Sequence, residues 1–344
     1  MIVLRNTWSR AAIVLALLGA AIVMLWWRGP EWGLVADAFR LVEWTWIFAA
    51  IGLNLLSVVA RALAWRTVVN EALREHSPPF DRIFSAFGIG LLANAVLPAR
   101  TGELARVAVL TRQLPRGRGY TATLLGTVFT HRLFDVIPAM LLVVYVLLTA
   151  RIPHWALTSI AIAAALGGIL LVFALITSRL RKPVVDELTR LRRLLAMARV
   201  GLDVLRSPAR VALAIFFQCL GWLFQLLAVW VAMRAFDIDA PLPAAGLVLV
   251  LMNIATIFPL WPGNIGLLQA AVALPLVSYG VAYTTGFAYG LGLQIVEMSV
   301  GVGVGIVFLA REGISFATLR RMPDPGEPQL RVVTEEEHAR ARSA

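Results

Sequence analysis

Hydrophobic residues along this chain form long uninterrupted runs, and charged residues collect in the short segments between them. The runs are long and show no alternation of apolar and polar positions, so they predict helices rather than strands. Most approach the roughly 20 residues that a helix needs to cross the hydrocarbon of a bilayer. We therefore predict an all-α, polytopic membrane protein with helices over Ala11–Trp27, Trp44–Ala60, Thr121–Thr149, Trp155–Thr177, Val211–Met233 and Thr284–Ala310.

Two further stretches, 83–112 and 246–280, each contain a pair of apolar runs that are too short to cross a bilayer. In the first stretch, Ile83–Leu97 and Leu104–Leu110 meet at a joint that contains proline, glycine and several charges. Irregular backbone is tolerated at membrane depth only where protein or a water-filled cavity surrounds it. Both stretches are therefore predicted to be re-entrant helical hairpins, and the first is predicted to form the floor of a polar cavity.

Composition supports a membrane protein, since 60% of the 344 residues are hydrophobic and the mean hydropathy is +0.80. The formal net charge is +11, but the basic residues lie in short loops. That pattern fits positive-inside topology and anionic head groups better than nucleic acid, which we exclude as a partner. The single cysteine, Cys219, lies in an apolar run and the four histidines are scattered, so neither a disulfide nor a metal site is expected. No nucleotide-binding or hydrolase motif is present, and no cofactor is expected.

Arginine-rich loops set the predicted orientation. The segment 179–210 contains nine basic residues against three acidic ones, and it is predicted to be an amphipathic interfacial helix on the cytoplasmic side. Counting crossings from this segment places both termini in the cytoplasm, with the protein in a bacterial inner membrane. The chain then divides into five parts. An N-terminal helix and loop (1–43) precede a first repeat (44–150), and a connecting helix with its basic linker (151–210) leads to a second repeat (211–310). A disordered tail (311–344) follows.

The two broken stretches share a spacing: an asparagine precedes a proline, and a glycine follows that proline by four residues (Asn94, Pro98 and Gly102; Asn253, Pro259 and Gly263). Asp135 lies 37 residues after Pro98, and Glu297 lies 38 residues after Pro259. Because the predicted crossings give the two copies opposite orientations, we interpret them as inverted-topology repeats. Such repeats in transporters enclose the substrate and support alternating access. The alternative is that proline and glycine breaks, which are common in membrane helices, match by chance.

Charged residues inside the predicted membrane segments are the candidate site. Glu103 and Arg106 are three residues apart, as are Arg132 and Asp135, so each pair shares a helix face. Guanidinium groups form paired hydrogen bonds with phosphate, and the arginines would hold a lipid phosphate while the acids position them or carry protons. The alternative is that the pairs only pin helices together. The predicted substrate-binding set is Asn94, Arg100, Glu103, Arg106, Arg132, Asp135, Asn264 and Glu297.

Several other polar residues are predicted to be structural. Arg61 and Arg66 end the second predicted helix and are interpreted as anchors that reach the membrane interface. The glutamines inside apolar runs are predicted to bond neighbouring helices, and the asparagines at the breaks to bond freed backbone groups. His131 is predicted to be a hydrogen-bonded structural residue, and the alternative is a proton relay beside Arg132. The alternate glycines at 301, 303 and 305 indicate close helix packing.

Four motifs carry a resemblance to a known family: Leu-Ala-Trp-Arg at 63–66, Gly-x-Gly-x-x-x-Asn-x-x-Leu-Pro-x-Arg-x-Gly-Glu-x-x-Arg at 88–106, His-Arg-Leu-Phe-Asp at 131–135 and Pro-Gly-Asn-Ile-Gly at 262–266. The chain resembles the flippase-like transmembrane domain of lysylphosphatidylglycerol synthases over residues 40–310. The resemblance implies a helical bundle with re-entrant elements that moves a lipid between leaflets. It carries over, as cavity residues, Arg100, Glu103, Arg106, Arg132 and Asp135.

Two features depart from that family. Its members often have Glu-Arg where this chain has His131-Arg132, and the synthases have a large soluble aminoacyl-transferase domain, whereas 34 residues follow Ala310 here. Synthase activity is therefore not expected. The predicted function is a flippase-like translocase that moves a lipid with an anionic head group, or a lipid-linked precursor, between leaflets by alternating access.

Two other functions stay open. A polytopic lipid-modifying transferase would need a donor site, and no predicted outside loop is long enough to bind a nucleotide sugar alone. A non-transporting scaffold would have lipid-synthesis enzymes as its partners, and it predicts that Arg100→Ala leaves function intact.

Overall fold

The computed structural model describes residues 31–96, 101–115, 120–179, 207–257 and 264–313, together with Gly19. This part of the chain is helical and contains no strand, which confirms the all-α prediction there. A 3-10 helix, Arg74–His76, follows the second helix. The ten α-helices of the described residues are α1 Trp32–Arg40, α2 Trp44–Ala72, α3 Phe80–Val96, α4 Gly102–Arg112, α5 Tyr120–Thr149, α6 His154–Arg179, α7 Pro208–Ala235, α8 Leu242–Ile257, α9 Leu267–Val277 and α10 Tyr283–Arg311.

Four of these helices, α2, α5, α7 and α10, are long and apolar enough to cross a membrane. They contain 28 to 30 residues each, and α6 matches the fourth predicted run. The largest difference from prediction is in α2, which continues to Ala72. The arginines expected to end it, Arg61 and Arg66, instead lie over aromatic rings of the protein. The predicted first helix, most of the basic segment 179–210 and the tail beyond residue 313 lie outside the described residues.

The two predicted broken stretches each contain two short helices. In the first stretch, α3 and α4 have 17 and 11 residues, and in the second, α8 and α9 have 16 and 11 residues. The helices of each pair pack against each other. As described, all four helices are shorter than the roughly 20 residues that a spanning helix needs, and the re-entrant hairpins stay a prediction.

The predicted loop over 28–43 contains a short helix, α1. Trp32 makes an edge contact with the ring of Phe287, with the ring centroids 5.9 Å apart, and Val35 is buried. Together with Phe39 these residues stand at i, i+3 and i+7, which gives a short helix one apolar face. That spacing is present in the sequence, but three apolar positions give only a weak signal for a helix.

The described residues form two compact units. Unit 1 consists of residues 31–53, 141–164 and 225–296 and includes the pair α8 and α9. Unit 2 consists of residues 54–140, 165–224 and 297–313 and includes the pair α3 and α4.

Small residues let the helices of unit 2 approach closely, as is typical of membrane helices. The Ser57 hydroxyl of α2 donates to the carbonyl of Gly221 in α7 at 2.7 Å. In α10, a Cβ at Gly305 would overlap the side chain of Leu92, whereas Gly303 faces open space. The predicted close packing of the alternate glycines is therefore confirmed at Gly305 and wrong at Gly303.

Candidate functional site

Polar residues of unit 2 lie in the central third of every long apolar helix. A charge at the centre of a bilayer costs about 2.5–3.5 kcal/mol on insertion scales and more than 10 kcal/mol in simulations. Charges at this depth therefore need partners within the protein. The residues concerned are Arg61 of α2, Arg132 and Asp135 of α5, Gln218 and Trp222 of α7, and Glu297 of α10.

Four charged side chains of unit 2 form a continuous series of ion pairs. Glu103 of α4 pairs with Arg106 on the same helix and with Arg132 of α5. Arg132 also donates from Nη1 to Oδ2 of Asp135 at 3.1 Å. Both predicted pairs along a helix are confirmed, and the bridge between Glu103 and Arg132 joins two helices that spacing alone could not connect.

Arg61 and Glu297 add two further charges to this group. The Arg61 guanidinium interacts electrostatically with the carboxylates of Asp135 and Glu297. It also lies over the ring of Trp222, 5.3 Å from the centroid. Three cations and three anions are thus assembled in one unit, and we call them the charged cluster: Arg61, Glu103, Arg106, Arg132, Asp135 and Glu297.

Exposure differs sharply between the arginines of the charged cluster. The Arg106 side chain is 4% exposed, whereas the Arg132 side chain is 53% exposed. Glu103, which joins them, is intermediate at 26%. Arg132 therefore presents the accessible guanidinium of this series, and Arg106 forms its buried end.

Aromatic rings enclose the Arg106 guanidinium. It lies 4.7 Å from the ring centroid of Trp65 and 5.5 Å from that of Phe87. Trp65 is fully buried, and its Nε1 donates to the Thr127 hydroxyl at 3.1 Å. A planar guanidinium stacks on such rings while its edge pairs with a carboxylate. In this position Arg106 holds Glu103 in place; direct binding of a lipid phosphate by Arg106 stays a prediction.

Asp135 is held by two donors from a neighbouring helix. Its Oδ1 accepts from Nε2 of Gln218 at 2.8 Å and from Nε1 of Trp222 at 3.0 Å. The predicted role of Gln218 as an interhelical hydrogen-bonding residue is confirmed. Trp222 and Arg61 were not predicted as site residues. Arg61 carried a usable signal, because a charge that interrupts a long apolar run is itself a candidate functional residue.

His131 lies beneath the charged cluster and is 2% exposed. Its Nε2 is 3.1 Å from the backbone carbonyl of Arg61, and since a carbonyl only accepts, Nε2 is the protonated nitrogen. The backbone carbonyl of His131 accepts from Gln218 at 3.4 Å. The predicted hydrogen bonding of this histidine is confirmed, and its purely structural role stays a prediction.

The interruption between α3 and α4 fixes the position of Glu103. The Asn94 side chain accepts from the backbone nitrogen of Gly102, the first residue of α4, at 2.8 Å. A Cβ at Gly102 would overlap the carbonyl of Gly90, so only glycine allows this approach. Asn94 thus bonds a freed backbone group, as predicted, and Glu103 follows directly. Arg100 lies outside the described residues.

The second interruption, in unit 1, is closed by neutral groups. The Asn264 amide donates to the carbonyl of Ala255 at 3.3 Å, and Asn264 has a left-handed backbone, with φ of 45°. Gln269 accepts from the backbone nitrogen of Gly266 and donates to Gln294, both at 2.6 Å. Asn264 and Gln294 therefore have their predicted structural partners, and lipid binding by Asn264 stays a prediction.

Within the described ranges, no group of three or more histidine, cysteine, aspartate or glutamate side chains could hold a metal ion. The charged cluster offers guanidinium and carboxylate groups. Guanidinium groups bind phosphate in paired hydrogen bonds, and carboxylates can hold those guanidinium groups or carry protons.

Together, these features define a multi-pass helical membrane protein with a charged cluster inside its apolar helices. The chain matches the family described as the lysylphosphatidylglycerol synthase TM region over residues 12–305, and it belongs to that family. No curated protein and no solved structure matches the chain significantly. Family membership confirms the predicted resemblance and indicates a membrane protein connected with lipid modification or transport.

Proposed function

We propose that the protein is a flippase-like lipid translocase, which moves a lipid with an anionic head group, or a lipid-linked precursor, between leaflets. The observation that carries this proposal is the position of Arg132. It lies in the central third of the 30-residue apolar helix α5, and its side chain is 53% exposed.

A half-exposed guanidinium at this depth needs polar surroundings. Contact with lipid tails would leave the N–H groups that are not paired with Glu103 or Asp135 unsatisfied, at a cost of several kcal/mol. A water-filled cavity, or the head group of a lipid, removes that cost. The planar fork of a guanidinium also matches the oxygen atoms of a phosphate, and Arg132 is therefore the proposed head-group ligand.

The other members of the charged cluster then have distinct roles. Glu103 and Asp135 bracket Arg132 through their ion pairs and keep its guanidinium from turning toward lipid. Arg106 holds Glu103 from the interior. Asp135 and Glu297 are the proposed proton carriers if transport is coupled to a proton gradient. No covalent change of the lipid is part of this proposal, so the protein acts as a transporter rather than an enzyme.

The short helix pairs support a transport mechanism. We propose that α3–α4 and α8–α9 are re-entrant hairpins of two inverted repeats, because both pairs are too short to span and both are closed by an asparagine. Exchange of conformations between such repeats exposes a cavity to each leaflet in turn. In this scheme the protein lies in a bacterial inner membrane with both termini in the cytoplasm.

Leaflet accessibility in proteoliposomes tests the proposal. Fluorescent phosphatidylglycerol and other labelled anionic lipids are reconstituted with the wild type, Arg132→Gln or Glu103→Gln, and the fraction of label open to an external quencher is followed over time. We expect transfer by the wild type and a loss of about ten- to hundred-fold in Arg132→Gln, the effect of one charge-assisted phosphate contact.

Arg40→Gln is the matched control, since Arg40 is 81% exposed on α1 and pairs only locally with Asp37. Equal transfer by the wild type and by Arg132→Gln would remove Arg132 as the ligand. Absence of transfer for every lipid tested would refute the translocase itself.

The family description contains the word synthase, so lipid modification is the second candidate. The same proteoliposomes, incubated with radiolabelled donors such as nucleotide sugars or aminoacyl-tRNA, distinguish it. Label that becomes covalently attached to lipid would replace transport with transfer chemistry as the function.

A further inference from the structure

A basic cavity lies in unit 2, next to the end of α2. Its volume is about 480 Å³, within the range of about 300–1,000 Å³ that is usual for small-molecule sites. It is lined by Arg66, Thr67 and Asn70 of α2 and by the first turns of α7, including Arg210 and Phe217. None of these side chains belongs to the charged cluster.

The cavity is separate from the charged cluster along the same helix. Arg66 follows Arg61 by five residues, which is about 7.5 Å along the axis and more than a third of a turn around it. Arg61 faces Trp222, whereas the guanidinium of Arg66 lies 5.9 Å from the ring centroid of Phe80. The side chains of Arg61 and Arg66 therefore lie in different environments.

Two buried polar atoms at this cavity lack hydrogen-bond partners among the described residues: Nε of Arg66, a donor, and Oδ1 of Asn70, an acceptor. Arg66 also forms no ion pair within that part of the chain. The nearby acid, Glu71, is 1% exposed and is already paired with Arg74 and Arg210. The cavity thus has an uncompensated positive charge and unused hydrogen-bonding capacity.

The side of the cavity at α7 is apolar. Leu213 and Phe217 line it, and Leu213 is 46% exposed, next to the 58% exposed Phe216. An exposed apolar surface on a helix of membrane-spanning length faces acyl chains. A site with a basic end and an apolar side that continues onto such a surface fits an amphiphile better than a free ion.

We propose that this cavity binds the phosphate of a membrane phospholipid, with its acyl chain along Leu213 and Phe217. Arg66 and the free N–H groups of Arg210 donate to the phosphate oxygens, and Asn70 accepts from a hydroxyl of the head group. The site goes beyond the proposed translocation path, because it neither contains nor contacts Arg132.

Photocrosslinking of the full chain in detergent micelles tests the site. The probe is phosphatidylglycerol with a diazirine in its acyl chain, and labelled peptides are identified by mass spectrometry across a concentration series. We expect label on α7 at Leu213 or Phe217, with half-saturation shifted about tenfold or more in Arg66→Gln and in Asn70→Asp. Asn70→Asp keeps the shape of the side chain but adds a negative charge beside the phosphate.

Control variants distinguish loss of binding at this cavity from misfolding and from effects of the charged cluster. Arg40→Gln removes an exposed arginine elsewhere, and Arg132→Gln impairs the proposed transport site; both should label α7 as the wild type does. Arg66→Lys keeps the charge and should retain most of the labelling, and an unchanged melting temperature shows that each variant is folded.

Three outcomes would overturn the inference. Undiminished labelling of α7 in both Arg66→Gln and Asn70→Asp would show that the cavity does not hold the lipid. Equal labelling by a diazirine diacylglycerol, which lacks phosphate, would show that the cavity does not recognise the phosphate head group. Displacement of the probe by inorganic phosphate supports phosphate recognition, whereas binding of inorganic phosphate with no lipid label at α7 would overturn the assignment to a membrane lipid.

Discussion

Replacement of Asp135 by asparagine is the sharpest test of how the charged cluster is held together. The carboxylate accepts from Gln218 and Trp222 and pairs with Arg132. Asparagine has nearly the same shape, so no cavity is created. It removes one of three negative charges and leaves three positive ones.

The magnitude follows from these contacts. The amide oxygen can keep both donors, but two charge-assisted hydrogen bonds become neutral ones, which differ by roughly 1–1.5 kcal/mol each. The pair with Arg132 adds about 0.5–1 kcal/mol, because that arginine is half exposed and the attraction is screened. We expect Asp135→Asn to lower the free energy of unfolding by roughly 2.5–4 kcal/mol.

Unfolding in mixed micelles, followed by tryptophan fluorescence, measures this loss. Asp37→Asn is the matched control, since Asp37 is 59% exposed and pairs only with Arg40, so its loss should be at most about 1 kcal/mol. Equal losses of stability in the two variants, or wild-type stability of Asp135→Asn, would show that the ion pairs and hydrogen bonds of Asp135 do not stabilise the fold.

Three further substitutions test the surroundings of the site. Gly102→Ala should cost about 3 kcal/mol or more and lower transport, because the new Cβ overlaps backbone where Asn94 closes the interruption; wild-type stability would show that α4 can shift freely. Trp65→Phe should cost about 1–2 kcal/mol, because Thr127 loses its donor; thermal unfolding measures this, and Thr127→Val in the same background should add little. Gln269→Leu should cost about 1–3 kcal/mol, because the partly buried backbone nitrogen of Gly266 loses its acceptor and the buried Gln294 loses a donor; hydrogen exchange at Gly266 should rise, and unchanged protection there would contradict the assignment.

The helices were largely predictable from apolar runs, because the bilayer demands length and hydrophobicity from each spanning element. The interruptions were predictable too, since Pro and Gly remove a donor or add backbone freedom at fixed positions. The end of α2 was not predictable from the sequence, because Arg61 and Arg66 lie over aromatic rings of the protein and therefore do not stop the helix. The helix over Trp32–Arg40 was missed because three apolar positions are a weak signal beside long runs.

The site was predictable only where partners are neighbours in sequence. The pairs of Glu103 with Arg106 and of Arg132 with Asp135 follow from helical spacing. The contacts of Asp135 with Gln218 and Trp222 depend on how α5 and α7 pack, which spacing cannot supply. Burial was equally hidden: nothing in the sequence distinguishes the enclosed Arg106 from the accessible Arg132, and that difference decides which one can reach a ligand.

Charges in the middle of apolar helices also shape how the chain is made. At the centre of an inserting segment, an ionised residue opposes entry from the translocon by about 2.5–3.5 kcal/mol, so α5 bears roughly twice that for Arg132 and Asp135. Arg61 leaves the ribosome before Asp135 of α5, and long before Glu297 of α10. We therefore expect the early helices to stay at the insertion machinery until α5 and α10 supply their counter-charges, so that Glu297 completes the charged cluster.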